Sequence, residues 1–135
     1  MKPVRSTGRG KAREKKDAGL VMIVDDDRNI GRLLKTLFEL EGHHVVEAST
    51  CQEVLPLLRQ ALPDVALMDV QLHGQETIAL VRQMRQDEKA AHIPVVMTSA
   101  MDRRRECLEA GADLFIIKPF LPDELVQTVI DLLKR

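Results

Sequence analysis

The sequence is poor in residues that several classes of functional site require. It contains no Trp, no Tyr and three Phe, and no Ser/Thr/Gly-rich loop follows the first apolar run, so a flavin-binding electron carrier is disfavoured. Cys51 and Cys107 stand far apart and match no metal or redox spacing, so we interpret them as reduced, packed thiols. No apolar run approaches the roughly 20 residues that cross a bilayer, and the N-terminus lacks the apolar centre of a signal peptide. We therefore expect a cytoplasmic protein that does not contact membranes.

Charge divides the chain into two unequal parts. Residues 1–19 carry seven basic and two acidic residues, a net charge of +5, and because the whole chain carries −1 the remainder carries −6. This segment has few apolar side chains to bury, so we predict a disordered basic tail at 1–19 and one domain at 20–135. A solvated leader and a contact with nucleic acid or an acidic surface both remain open for the tail. The acidic domain itself is not expected to bind nucleic acid.

From residue 20 onward, short apolar runs alternate with segments of helical period. Five runs have the length and composition of strands: LVMIV, HVVEA, DVALM, IPVVMTS and DLFIIK. The intervening segments predict helices, the first ending at Gly42, the third covering Glu76–Gln86, the fourth Asp102–Ala110 and the fifth starting at Pro122. The second begins with a capping box at Thr50 and contains Pro56, which is expected to kink it.

Repeated strand-then-helix units predict a parallel sheet with right-handed crossovers and helices on both faces. The fold class is therefore α/β, a three-layer α/β/α sandwich. The second strand is the most polar, with Glu47 near its middle, which suits an edge position. The flavodoxin-like (βα)5 strand order 2-1-3-4-5 places it there and brings the first and third strands together at the centre.

Polar residues terminate these predicted strands at one edge of the sheet. Two carboxylates about 4 Å apart repel by roughly 4 kcal/mol at an effective dielectric of 20, so the run Asp25, Asp26 and Asp27 needs exposure, protonation or a cation. Asp69 ends the third strand, Thr98 and Ser99 the fourth, and Lys118 the fifth. Carboxylates, a hydroxyl and an ammonium together suit a hard divalent cation, Mg²⁺, next to a phosphoryl group.

The strings IVDDD, DVALMDV, VVMTSA and IIKPF, in this order and spacing, resemble the receiver domain of two-component response regulators, the family of the chemotaxis regulator. The resemblance runs from about Leu20 to Arg135. It implies that Asp69 accepts a phosphoryl group from a histidine kinase or a phosphotransfer protein. It further implies a Mg²⁺ site and a switch, whose residues are as follows: Asp25, Asp26, Asp69 and the backbone carbonyl of Gln71 for Mg²⁺; Lys118 and Ser99 for the phosphoryl oxygens; Ser99 and Phe115 for the switch.

Some of these positions have simpler interpretations. Asp27 is interpreted as the N-cap of the first helix rather than as a metal ligand. Phe115 is either a switch residue or part of the core. Arg103, Arg104 and Arg105 are interpreted as a solvated face, with a partner-docking patch as the alternative. The bond Lys118-Pro119 resembles one that is usually cis in the family.

The segment DVQLHGQET departs from the family pattern after the phosphate acceptor. His73 replaces a frequent proline, and Glu76 and Thr77 replace a frequent Asp-Gly, so the resemblance does not define the geometry of this loop. Gly74 could restore the turn with a positive φ. His73 is interpreted as a solvent-facing loop residue, with metal binding or an effect on phosphate lifetime as the alternatives.

These observations predict a phosphorylation-activated receiver in two-component signal transduction or a phosphorelay. Phosphorylation would alter the face formed by the fourth helix, the fifth strand and the fifth helix, which would bind a downstream protein; homodimerisation on phosphorylation is left open. The chain would not be an enzyme toward a separate substrate, although it would catalyse its own phosphorylation and dephosphorylation. The alternatives are a pseudo-receiver adaptor that binds partners without phosphorylation and an excerpt of a longer regulator.

Overall fold

The computed structural model describes residues 19–135, so the prediction of a disordered tail lies, except for Gly19, outside the described residues. Its main feature is a parallel sheet of five strands, β1 (Leu20–Val24), β2 (His44–Ala48), β3 (Val65–Asp69), β6 (Val95–Ser99) and β7 (Leu114–Ile117). Two further strands, β4 (Gln71–Leu72) and β5 (Gln75–Glu76), form a small antiparallel hairpin. The sheet order is β2-β1-β3-β6-β7. Because β4 and β5 belong to the hairpin, β6 and β7 are the fourth and fifth strands of the sheet, and the predicted order 2-1-3-4-5 is confirmed.

Five helices cover the two faces of the sheet. They are α1 (Arg28–Leu40), α2 (Cys51–Ala61), α3 (Ile78–Gln86), α4 (Arg104–Ala110) and α5 (Pro122–Leu133). Helices α1 and α5 pack on one face together with Val21 and Ile23 of β1, whereas α2, α3 and α4 pack on the other with Met22 and Val24. Successive strand residues point to opposite faces, so the apolar run LVMIV supplies both cores.

Local signals explain where the helices begin and end. The Asp27 carboxylate accepts hydrogen bonds from the N–H groups of Asn29 and Ile30, so Asp27 is the N-cap of α1. The Glu53 carboxylate accepts from the Thr50 N–H at the start of α2. Helix α2 continues through Pro56, and its predicted kink stays a prediction. Helix α5 begins at Pro122, and Gly42 and Gly111 have positive φ after α1 and α4, as expected of residues that end helices.

The predicted starts of two helices were wrong. Helix α3 begins at Ile78 rather than Glu76, because Glu76 pairs with Gln71 in the hairpin. Helix α4 begins at Arg104 rather than Asp102, because the Asp102 carboxylate accepts a hydrogen bond from the Arg104 N–H and forms a turn before the helix. Glycine does supply the predicted turn at position 74, with φ +78°, and His73 also has a positive φ of +50°.

One arginine secures the end of the sheet opposite the strands' carboxyl ends. The Arg85 guanidinium donates hydrogen bonds to the carbonyls of Ala91, Ile93 and Gly111, at 2.8 to 3.1 Å, and contacts the Asp113 carboxylate at 3.2 Å. It thus joins the end of α3 to the connections that enter β6 and β7. Across residues 19–135, every helix falls short of the length and apolar character that a bilayer crossing requires.

Candidate functional site

The register of the central strands brings the candidate site together. Val24 pairs with Met68 across β1 and β3, so Asp25 and Asp69, the next residues, end neighbouring strands side by side. Asp69 in turn pairs with Thr98 of β6, which places Ser99 at the same edge. Asp25 and Asp69 are 44 positions apart in sequence, and Asp69 and Ser99 are 30 apart, yet they meet because parallel strands end at one rim.

The carboxylates of Asp25, Asp26 and Asp69 each offer an oxygen atom within 4.8 Å of the others; we call these three residues the carboxylate cluster. The side chains of Asp25 and Asp69 are 8% and 11% exposed, whereas Asp26 is 32% exposed. Burial raises the pKa of Asp25, and the hydrogen bond from the Asp27 N–H and the nearby charge of Lys118 oppose the rise. The cluster is therefore a group of partly desolvated negative charges.

Lys118 supplies the positive charge nearest to this cluster. Its Nζ lies 2.7 Å from Asp69 Oδ2 and 3.7 Å from Asp25 Oδ2. Burial, the largest single effect, lowers the pKa of Lys118. The hydrogen bond to Asp69 and the charges of Asp25 and Asp69 together raise this pKa by more than burial lowers it, so the net shift is upward. Lys118 thus stays protonated at neutral pH, and the Lys118-Pro119 bond is cis, as predicted.

Both oxygens of Asp69 have donors. Oδ1 accepts from the backbone N–H of Gln71 at 3.1 Å, and Oδ2 accepts from Lys118. The backbone of Gln71 therefore passes next to the carboxylate, although the role of its carbonyl stays a prediction. The buried Thr77 hydroxyl donates to the Asp69 carbonyl at 2.7 Å, which anchors the far end of the hairpin to the same residue.

Ser99 lies at the site but is turned to its own loop. Its hydroxyl oxygen accepts a hydrogen bond from the Met101 N–H at 3.1 Å, and its carbonyl accepts from the Lys118 N–H at 2.8 Å. Among residues 19–135, no hydrogen bond joins Ser99 to Asp69. Phe115 is buried, with the Arg104 guanidinium 5.4 Å from the centre of its ring. Its role as a switch residue stays a prediction.

The altered segment after Asp69 forms an ordered hairpin. The backbone N–H of His73 donates to Asp26 Oδ2 at 2.7 Å, a contact that a proline at this position could not make. The imidazole Nδ1 lies 3.7 Å from the same oxygen, and the side chain is 58% exposed. His73 is thus a loop residue that faces solvent, as predicted, but its backbone holds a member of the carboxylate cluster.

The solvated interpretation of Arg103 was wrong. Its side chain is 17% exposed, and its guanidinium forms paired hydrogen bonds with both the Glu76 and the Glu106 carboxylates. The hydrogen bonds from Arg103 to Glu106 and Glu76 raise its pKa. Arg105, by contrast, is 91% exposed, as predicted. Sequence reasoning missed the Arg103 contacts because Glu76 was assigned to a helix.

The donor set fits a hard cation. Carboxylate oxygens gathered within 4.8 Å of one another match the preference of Mg²⁺ for oxygen ligands, and the one ammonium of Lys118 against these three carboxylates leaves a formal net charge of about −2. A divalent cation would neutralise that excess. The arrangement combines a carboxylate that could act as a nucleophile, a candidate cation site and an ammonium, which are the groups that phosphoryl transfer requires.

The chain is similar in sequence to known proteins. Residues 21–130 match the family described as "Response regulator receiver domain". The chain is 35% identical over 118 residues to the phosphate regulon transcriptional regulatory protein PhoB of Pseudomonas aeruginosa, covering 85% of this chain and 52% of that protein. The chain thus spans about half the length of the curated relatives it matches.

Solved structures give the same result. The receiver domain of the Francisella response regulator 1452 superposes with a TM-score of 0.79 at 32% identity, covering 87% of this chain and 98% of that one. The receiver domain of a sensor histidine kinase from Pseudomonas aeruginosa, solved with a magnesium ion in its active-site cleft, superposes with a TM-score of 0.76 at 21% identity, covering 87% and 99% of the two chains. At that identity the second likeness concerns the fold.

Proposed function

Because the chain belongs to the response regulator receiver domain family of two-component systems, we propose that it accepts a phosphoryl group on Asp69 from a histidine kinase or a phosphotransfer protein. The observation that carries this proposal is the partly buried contact of 2.7 Å between Lys118 Nζ and Asp69 Oδ2 inside the carboxylate cluster. A structural ion pair would not require two further carboxylates at the same place.

The proposed transfer moves a phosphoryl group from nitrogen to oxygen. An Asp69 carboxylate oxygen forms a bond to phosphorus while the bond from phosphorus to the donor's imidazole nitrogen breaks. The imidazole leaves with the electron pair and takes up a proton, and Asp69 becomes an acyl phosphate. Dephosphorylation is the attack of water on the same phosphorus, which releases inorganic phosphate and restores the carboxylate.

Each residue of the site has a defined part in this chemistry. Lys118 already donates to one oxygen of Asp69, so it can stabilise the charge on the phosphoryl oxygens. Asp25, Asp26, Asp69 and the Gln71 carbonyl would hold Mg²⁺, which when bound neutralises the carboxylates and the incoming phosphate. The Asp27 and His73 N–H groups orient the Asp25 and Asp26 carboxylates.

Signalling would follow from the added charge. A phosphoryl group brings additional negative charge and acceptor oxygens, which attract the Ser99 hydroxyl and Lys118. The Ser99 hydroxyl, which here accepts a hydrogen bond from the Met101 N–H, would turn toward the phosphoryl group, and the loop before α4 would move with it. The face of α4, β7 and α5 is the surface expected to bind a downstream protein in response.

A pseudo-receiver adaptor is the second candidate, and the altered hairpin is the observation that favours it. Glu76 and Thr77 occupy positions where many receivers have Asp-Gly, and the hairpin contacts both Asp26 and Asp69. An adaptor would keep the fold and its partner surface without accepting phosphate.

Intact mass spectrometry separates these two candidates. Wild type and Asp69→Asn are incubated with acetyl phosphate, with and without Mg²⁺. A phosphoryl adduct that needs Mg²⁺ and appears in wild type but not in Asp69→Asn is the expected result. A folded wild-type protein that gains no mass would refute phosphorylation by this donor and favour the adaptor.

A further inference from the structure

Two connections flank the proposed phosphoacceptor, and one ion cluster joins them. The β4–β5 hairpin follows Asp69 directly, and residues 100–103 connect Ser99 to α4. Glu76 lies on the hairpin, and Arg103 lies at the N-cap of α4. The two residues are 27 positions apart in sequence, so their contact ties separate parts of the site together.

The geometry of this contact is more specific than that of an ordinary surface ion pair. Arg103 Nη1 and Nη2 donate to the two Glu76 oxygens at 3.0 and 3.2 Å, and Nε and Nη2 donate to the two oxygens of Glu106. Both edges of the guanidinium plane are therefore used. Such paired contacts fix orientation as well as distance.

The position of Arg103 makes the two carboxylates necessary. A cation at the start of a helix lies at the positive end of the helix dipole, where it is unfavourable. The Arg103 side chain is also 17% exposed, so water solvates it poorly. Glu76 and Glu106 offset both effects, and Glu106 belongs to α4 itself, so Glu76 is the partner that reaches across to another element.

Both ends of the contact are coupled to the proposed chemistry. Glu76 precedes Thr77, whose hydroxyl bonds the Asp69 carbonyl, and Arg103 follows Ser99 by four residues. In this structure the loop is closed by the hydrogen bond from the Met101 N–H to the Ser99 hydroxyl. A movement of this loop as the hydroxyl turns toward a phosphoryl group on Asp69 would displace Arg103 from Glu76.

We propose that Glu76 and Arg103 form a latch that holds the β6–α4 loop, and with it Ser99, in the resting position, and that the latch opposes the phosphorylated conformation. The second half of this inference rests on the proposed function. Glu76 and Arg103 are positioning residues in this scheme, since neither contacts the reacting atoms. The sequence change that replaces the family's frequent Asp with Glu76 supplies the longer side chain that reaches Arg103.

Hydrogen–deuterium exchange of the unphosphorylated protein tests the restraint itself. Wild type, Glu76→Gln, Arg103→Lys and the control Arg105→Gln are compared at the amides of residues 100–108. Arg105 is the matched control because it lies two residues after Arg103, in the first turn of α4, and pairs with Glu109 at the surface. Glu76→Gln is expected to speed exchange by roughly two- to five-fold, the range for a partly exposed ion pair. Arg103→Lys is expected to give a smaller increase, because it keeps the charge but loses the paired geometry.

Titration with beryllofluoride and Mg²⁺, which together mimic a phosphorylated carboxylate, tests the coupling. If the latch opposes the phosphorylated conformation, Glu76→Gln binds beryllofluoride roughly two- to five-fold more tightly than wild type, and Arg105→Gln binds like wild type. Exchange that is unchanged in Glu76→Gln would overturn the restraint. Faster exchange with unchanged beryllofluoride affinity would overturn the coupling.

The two proposals fail in different ways. If wild type binds no beryllofluoride and gains no phosphoryl group, the proposed function and the coupling are refuted, while the exchange result still decides whether the latch restrains the loop. If wild type binds beryllofluoride but Glu76→Gln matches it in both measurements, the receiver function stands and the latch is refuted.

Discussion

Charge imbalance within the carboxylate cluster gives the sharpest test of the site. Lys118→Met removes the ammonium but keeps most of the side-chain volume. At an effective dielectric of about 20, the contacts of 2.7 and 3.7 Å to Asp69 and Asp25 correspond to gross attractions of about 6 and about 4 kcal/mol. The desolvation of Lys118, whose side chain is 25% exposed, offsets most of this attraction. We expect the free energy of unfolding in EDTA to fall by about 2 to 3 kcal/mol.

The opposite perturbation should have the opposite sign. Asp26→Asn removes one negative charge without touching Lys118, and its amide oxygen can still accept the His73 N–H. Because Asp26 is 32% exposed, most of the repulsion is screened, and we expect a gain of about 1 kcal/mol in EDTA.

Urea denaturation with and without Mg²⁺ measures both effects. At a Mg²⁺ concentration 100 times its dissociation constant, wild type should gain about 2.7 kcal/mol, whereas Asp26→Asn should gain little at the same concentration. Lys89→Met, at an exposed position, is the control and should change the free energy by less than about 0.5 kcal/mol. The reasoning is refuted if Lys118→Met is as stable as wild type in EDTA, or if Asp26→Asn keeps the full gain with Mg²⁺.

Three further predictions follow from other contacts. Arg85→Ala should lower the free energy of unfolding by about 2 to 4 kcal/mol in urea denaturation, because three backbone carbonyls lose their donor. The control Arg82→Ala, at an exposed position on the same helix, should change it by less than about 0.5 kcal/mol. Equal effects of the two substitutions would contradict the role of Arg85 in joining these segments. Gly111→Ala should cost about 1 to 3 kcal/mol in the same assay, since φ is +118° and the new Cβ would lie 2.8 Å from Arg85 Cγ; an unchanged midpoint would contradict it. Burial raises the pKa of Asp25 above its ordinary value of 3.8, so Mg²⁺ affinity measured by calorimetry should begin to fall at a higher pH than for an ordinary aspartate. In EDTA, the contribution of Asp25 to the free energy of unfolding should decrease as the pH rises from 3.8 through the raised pKa. Mg²⁺ affinity that stays flat down to pH 4 would contradict this prediction.

The sheet was predictable from sequence because its strands are short, apolar and separated by helical segments. Burial on both faces requires continuous apolar runs, and β1 and β3 have them. The carboxylate cluster was predictable for a related reason. Asp25 and Asp69 each follow such a run, and parallel strands end at one rim, so strand assignment alone brings them together.

The contacts beyond the rim were not predictable in the same way. Strands β4 and β5 have two residues each, too few to show a periodic pattern, so Glu76 was assigned to the following helix. The contacts of Arg103 and Arg85 join segments about 27 positions apart through side-chain geometry, for which a single sequence has no periodic signal. Arg85 and Arg103 were missed because their contacts depend on where long side chains extend. The residues of the carboxylate cluster were found because their positions follow from where the strands end.

Helix α4 is held by different contacts at its two ends, so it could tilt about one end if the contact at the other end were lost. At its C-terminal end, Gly111 is bound through its carbonyl by two nitrogens of the Arg85 guanidinium, whereas at its N-terminal end the tie across to the hairpin is the ion pair with Glu76. With seven residues, the helix is about 10 Å long. If the ion pair with Glu76 opened while the Arg85 contact with Gly111 persisted, a tilt of about 20° about Gly111 would carry the first turn of the helix roughly 3.5 Å. Gly111 lies at the opposite end of the sheet from the carboxylate cluster. The largest displacement would therefore occur in the first turn of α4, at the end of the sheet where Asp69 lies.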